Sequence, residues 1–278
     1  MKAVEDFVMD MSLMGYSENT IKNYKNTVEN FFKYINKEYK KVKDEDIKKY
    51  MFNLQKEKNL SLKSLYRHLS AIKCFYSTKK MKTADSIKLP KISKNLPVFL
   101  NYGEIKALLN SSENLRDRVI MQLLYATGLR VSELCNLNIK DIEEDKIFVH
   151  LGKGAKDRVV FIDENTRKLV NKYIKTRKKN GEALIINKDG ERISQRSIQS
   201  IIKKYAKKAK INKKITPHTL RHTFATHLLQ NDADIVVIKD LLGHSNLSTT
   251  QIYTHVTNKY KEEVYKKSHP LSKKGISK

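Results

Sequence analysis

Two amphipathic runs near the start of the chain, followed by a proline-punctuated break, constrain its fold more than any other feature. In SENTIKNYKNTVENFFKYI, Ile21, Tyr24, Val28, Phe31 and Ile35 recur every three or four residues, and Ser17 stands where an N-cap belongs. In SLKSLYRHLSAIKCFY, Leu62, Leu65, Leu69, Ile72 and Phe75 or Tyr76 keep the same spacing behind Ser61. Neither run contains Gly or Pro. ADSIKLPKISKNLPVFL then sets Pro90 and Pro97, two of only 4 prolines, among lysines and polar residues. Proline lacks an amide hydrogen and biases the residue before it away from helix. The expected layout is therefore an N-terminal helical bundle over 1–83, a linker over 84–100, a second domain over 101–257 and a basic tail over 258–278.

The second domain reads as helices at 101–111, 114–128 and 131–137, then KIFVHLGKGAKDRVVFI. Its two β-branched and aromatic runs, 146–151 and 158–162, flank a turn containing Gly152, Lys153 and Gly154, the pattern of a hairpin. ALIINKDGERIS offers a further short strand and turn. Helices resume at 163–179, 194–209, 216–230, 234–242 and 247–257. The fold class expected is mainly α with a small antiparallel β-sheet.

The 278 residues include 56 Lys and Arg against 30 Asp and Glu, a net charge of +26. The surplus lies in both parts: 19 basic against 11 acidic residues in 1–90, and 37 against 19 beyond. Such a surplus repels itself unless a polyanion offsets it. Nucleic acid is the first candidate partner, an anionic membrane surface the second, and a lysine-rich surface serving solubility the plain alternative. No stretch approaches ~18 consecutive apolar residues, and the opening MKAVEDFVMDMSLMG has no basic region ahead of an apolar one. Cys74 and Cys135 are too few and too far apart for a disulfide framework or a zinc site. A cytosolic, reduced, soluble chain is expected.

Four segments hold charge or imidazole beside apolar helix residues: ATGLRVSEL with Arg130 and Glu133, GKGAKDR with Lys153, TPHTLRHTFATH with His218 and Arg221, and GHSNLSTTQIY with His244 and Tyr253. Each has a plain reading. Arg130 and Glu133 could be a surface ion pair of little worth, Lys153 a solvated turn lysine, Tyr253 a core ring. His218 and His222 are four apart, as zinc ligands can be, but Thr219, Leu220 and Arg221 fill the gap where a metalloprotease needs a Glu, and an arginine repels a divalent cation. Ile252 and Val256 would anchor the last helix, which turns Tyr253 off the anchored face.

Taken together, ATGLRVSEL, GKGAKDR, HTLRHTFATHLL and LLGHSNLSTTQIYTH resemble the tyrosine recombinase family, which includes phage-type integrases and the Xer recombinases, with the Xer branch nearest. The resemblance covers essentially the whole chain. It implies a SAM-like, core-binding N-terminal domain and a mixed α/β catalytic domain of the recombinase type. It implies an active site of Arg130, Lys153, His218, Arg221, His244 and Tyr253, with Glu133 supporting the first arginine, and no cofactor or metal. The implied partner is double-stranded DNA at a specific recombination site, encircled by the two domains. Two protomers on each site and four in synapsis are implied, with residues 258–278 docking on a neighbouring protomer. A cytoplasmic, DNA-associated protein that resolves chromosome dimers is the role implied.

The chemistry suits those residue types. A phenol of pKa ~10 is about one part in a thousand ionised at pH 7, a handicap of roughly 4 kcal/mol. Nearby cations favour the tyrosinate, and His218 can take its proton. Arg130 and Arg221 can clamp non-bridging phosphate oxygens through planar guanidinium groups, and His244 can add a hydrogen bond. Lys153 is the candidate acid for the leaving 5′ oxygen. The absence of GxxxxGK[ST] fits a reaction that needs no ATP. Integration of a mobile element, a type IB topoisomerase-like nicking and closing reaction, a non-catalytic DNA-binding protein of the same fold, and a metal hydrolase remain as rivals.

Overall fold

The computed structural model describes residues 2–91, 98–150, 157–177 and 181–243. The chain divides into two compact units, Met1–Lys94 and Asn95–Lys278. In the first, the helical bundle expected is present as four helices: α1 (Lys2–Leu13), α2 (Glu18–Ile35), α3 (Asp44–Lys56) and α4 (Leu62–Thr78). The Ser17 and Ser61 side chains accept from the Thr20 and Ser64 N–H groups, so both serines cap their helices as expected. Asn36, in the left-handed region at φ 48°, ends α2. Phe7, Phe31, Phe32, Phe75 and Tyr76 fill the core, with Phe7, Phe32 and Tyr76 all set edge-on to the Phe75 ring.

The start of the proline-rich stretch belongs to this unit. Ala84 and Ile87 are buried in its core. The Asp44 carboxylate accepts from the Ala84 N–H at 3.0 Å and from the Ser86 hydroxyl. The Tyr66 hydroxyl is 2.8 Å from the carbonyl oxygens of both Leu89 and Pro90. Leu100, at the other end of the stretch, is buried in the core of the second unit.

The second unit runs α5 (Tyr102–Asn110), α6 (Leu115–Thr127), α7 (Val131–Asn136), β1 (Ile142–Glu143), β2 (Lys146–Val149), β3 (Arg158–Phe161), α8 (Glu164–Thr176), α9 (Gln195–Lys208), α10 (Pro217–Gln230) and α11 (Ile235–Leu242). The strands form one antiparallel sheet in the order β1-β2-β3, with Ile147 opposite Val160 and both buried. The hairpin is thus present, with a two-residue strand added ahead of it. ALIINKDGERIS does not join the sheet: it turns at Gly190 and makes isolated bridges, Ile186 to Arg192 and Asn138 to Ala183. Two backbone bonds, from the Leu184 N–H to the Leu137 carbonyl at 2.8 Å and from the Ile139 N–H to the Glu182 carbonyl at 2.9 Å, hold that segment together with Arg192, which donates to the Cys135 and Leu137 carbonyls at 2.9 and 3.0 Å.

α6 and α10 pack against each other at the centre of the unit. Residues on all sides of α10 are buried, the mark of an internal helix. This layout is mainly helical with a small antiparallel sheet. The helix expected at 247–257 lies outside the described residues.

Candidate active site

The site is built from a helix stop. α6 ends at Gly128, with φ +62°, where a Cβ would lie 2.5 Å from Cδ1 of Phe224 on α10. Only glycine accepts both that backbone conformation and that approach. The turn sets Arg130 as the N-cap of α7 and Glu133 in its first turn. There the Glu133 carboxylate accepts from the Arg130 backbone N–H at 2.7 Å and from Arg130 Nη1 at 2.7 Å.

Glu133 is 6% exposed and serves more than Arg130. Arg158, the first residue of β3, donates from Nη1 to Oε1 at 3.0 Å and from Nη2 to Oε2 at 2.8 Å, a two-pronged ion pair. Arg221 Nη1 lies 3.9 Å from Oε2. Burial by itself would raise the Glu133 pKa. The hydrogen bonds from Arg158 and Arg130 and the Arg158 charge outweigh it and bring it down to about 2.

The same three arginines hold the end of α11. Arg158 Nε donates to the Leu241 carbonyl at 2.9 Å, Arg221 Nη2 to that of Leu242 at 2.7 Å, and Arg130 Nη2 to that of Gly243 at 3.1 Å. Carbonyls at a helix C-terminus have no partner within the helix and carry its negative dipole end, so guanidinium groups suit them twice over. Arg221 also donates to the Gly128 carbonyl at 2.7 Å, tying the α6 stop to the same cluster.

The expected residues Arg130, Glu133 and Arg221 therefore meet. Arg221 is buried, whereas the Arg130 side chain is 35% exposed. His218 lies one turn before Arg221, in the first turn of α10, and is exposed. It lines a groove of about 610 Å³ together with Val131 and Lys203, Lys207, Lys210, Lys213 and Lys214. Lys153, His244 and Tyr253 lie outside the described residues. His222 and His227 are packing residues. His222 is buried beside Phe99, and burial lowers its pKa to about 4. His227 stacks on Tyr102 at 4.1 Å, with Nδ1 2.9 Å from the Tyr125 hydroxyl. His218 and His222, four apart, thus face an open groove and the interior respectively.

Arg158 had no role in the sequence reading, although GKGAKDR contains it. A signal was available: alternate residues of a strand share a face, so Arg158 lies on the side of buried Val160, where a cation needs a buried partner.

Two signatures of one family match this chain: phage integrase, N-terminal SAM-like domain over residues 4–84, and phage integrase family over 99–260. The tyrosine recombinase XerA of Pyrococcus horikoshii is 41% identical over 271 residues, covering 95% of this chain and 93% of that one. The chain belongs to the phage integrase family. Within it, the tyrosine recombinase XerD of Oceanobacillus iheyensis is 37% identical over 96% of this chain and 98% of its own. Among solved structures, XerA recombinase superposes with a TM-score of 0.59 at 36% identity, covering 97% of this chain and 98% of that one. XerH site-specific recombinase, bound to a palindromic difH substrate in a post-cleavage complex, gives 0.73 at 25% identity over 88% of this chain and 78% of that one. The cluster around Glu133 thus lies in the part of this integrase-family chain matched by the main family signature.

Proposed function

We propose that this phage integrase family member is a site-specific recombinase that cuts and rejoins DNA through a covalent 3′-phosphotyrosyl intermediate, with Tyr253 as nucleophile. One observation carries the reading. Three guanidinium groups share the single buried carboxylate of Glu133. The cluster keeps two positive charges in a largely dry setting, which suits a phosphodiester and the second negative charge its transition state develops.

In this reading the Tyr253 hydroxyl oxygen attacks phosphorus and its proton passes to His218. The bond from phosphorus to the 5′ oxygen breaks, and Lys153 protonates that oxygen. Arg130 and Arg221 hold the non-bridging oxygens, with His244 adding a donor. One phosphodiester replaces another, so attack by a 5′ hydroxyl reverses the step without an energy-rich co-reactant. The exposed position of His218 in a lysine-lined groove supports it as the proton acceptor beside a bound strand. Relatives named XerA, XerC and XerD, alike over more than nine-tenths of the chain, support resolution of chromosome dimers as the role. The palindromic substrate of XerH, and the lambda integrase dimer bound to a core site, support two protomers per site; four in synapsis follow from the reaction proposed, which exchanges strands between two such sites.

The test is adduct trapping on a nicked duplex that loses its leaving strand. Wild type is expected to become covalently attached to DNA, whereas Tyr253→Phe binds the duplex with unchanged affinity and forms no adduct. An adduct formed by that variant reassigns the nucleophile. Sequencing the ends trapped from genomic fragments gives the site: a single chromosomal locus supports dimer resolution, and the ends of a mobile element overturn it.

A further inference from the structure

We infer that Arg158 is a positioning residue for strand cleavage: from beneath the site it fixes Glu133 and the end of α11, and through them the orientation of Arg130. The inference rests on the reaction proposed above. Arg158 has no substrate contact in that reaction. Its side chain is 8% exposed, and its Nε and both terminal nitrogens are engaged by the Leu241 carbonyl and the two Glu133 oxygens. The fork sets the plane of the carboxylate, and the carboxylate in turn holds the Arg130 backbone and Nη1.

The second hold on Arg130 is the Gly243 carbonyl. That carbonyl is the last of three successive acceptors, and Arg158 grips the first of them. Displacing Arg158 therefore loosens both anchors of the Arg130 guanidinium group at once. Gly243, with φ +62°, completes the arrangement: a Cβ there would lie 3.1 Å from Cδ and Nη1 of Arg158, so any other residue crowds the guanidinium group and strains the helix end. Lysine cannot replace Arg158, because a single ammonium cannot meet both carboxylate oxygens in plane and also reach the Leu241 carbonyl.

The test is the single-turnover rate of covalent attachment to the nicked duplex at saturating protein, with duplex affinity and thermal melting measured beside it. Arg158→Lys is expected to melt as a folded protein and to bind the duplex within about twofold of wild type. Its attachment is expected to be about 10- to 100-fold slower, the scale of a misplaced catalytic group. The double variant Arg158→Lys with Arg130→Lys should be no slower than Arg130→Lys alone, since the effect runs through Arg130. A purely stabilising residue would shift melting and leave the rate of the folded protein unchanged.

A folded Arg158→Lys at the wild-type rate overturns the inference, as does a double variant slowed by the product of the two single effects. Should Arg158→Lys not fold, Gly243→Ala decides, because it crowds the guanidinium group from the other side. Slow attachment by that folded variant supports the role, and the wild-type rate overturns it. Failure of wild type to attach at all overturns the reaction itself, and is seen before any variant is compared.

Discussion

Glu133 is held between two opposing demands, since a buried carboxylate resists ionisation and a nest of guanidinium groups enforces it. The cations prevail, and the sign of the pH dependence follows. The folded-state pKa of about 2 lies below the unfolded 4.5, so the stabilisation is present above about pH 4.5 and is lost as pH falls through 2. At neutral pH it is on the order of 3 kcal/mol. Glu133→Gln is expected to be less stable than wild type in urea at pH 7, with the gap narrowing steadily between pH 4.5 and 2.5. A gap that stays constant over that range would show that the ionised form does not matter. The Arg130–Glu133 pairing was legible in ATGLRVSEL as an i, i+3 pair at a helix start. Its burial was not, nor was Glu133 as the partner of an inward-facing Arg158, because both depend on β3 meeting α7 across 25 residues of chain.

At the scale of elements, the helix ends decide where the charged groups go. Gly128 stops α6 against Phe224, and the Arg130 turn follows from that stop. Gly128→Ala would place a non-glycine residue in the left-handed region, at about 1–2 kcal/mol, and push a methyl group into the Phe224 ring and Leu242. A loss of about 2–4 kcal/mol is expected in denaturant unfolding at an unchanged slope. Apolar period and serine caps made α2 and α4 legible, and the β-branched runs around Gly152 and Gly154 made the hairpin legible. β1 was hidden by its two-residue length. The 183–194 segment was misleading because ALII looks like a strand, yet its apolar residues pack into the core while Arg192 satisfies neighbouring carbonyls.

For the molecule as a whole, the net charge of +26 is a statement about partners rather than fold. If the lysine-lined groove beside His218 follows a phosphate backbone, duplex affinity should fall steeply with salt, by about 10³-fold or more between 50 and 200 mM for six or more phosphate contacts. Single-turnover attachment to saturating duplex should be unaffected by EDTA. A shallow salt slope would move the DNA interface elsewhere, and inhibition by EDTA would return the histidines to a metal role.

The clasp that Asp44 and Tyr66 place on residues 84–90 bears on where the helical half can be severed. Cutting after residue 83 would take Ala84 and Ile87 out of its interior and strand the Asp44 carboxylate without the amide and hydroxyl it accepts from. A fragment meant to live independently has to run through Pro90, so that seven residues which look like spacer in the sequence go with the half they seal.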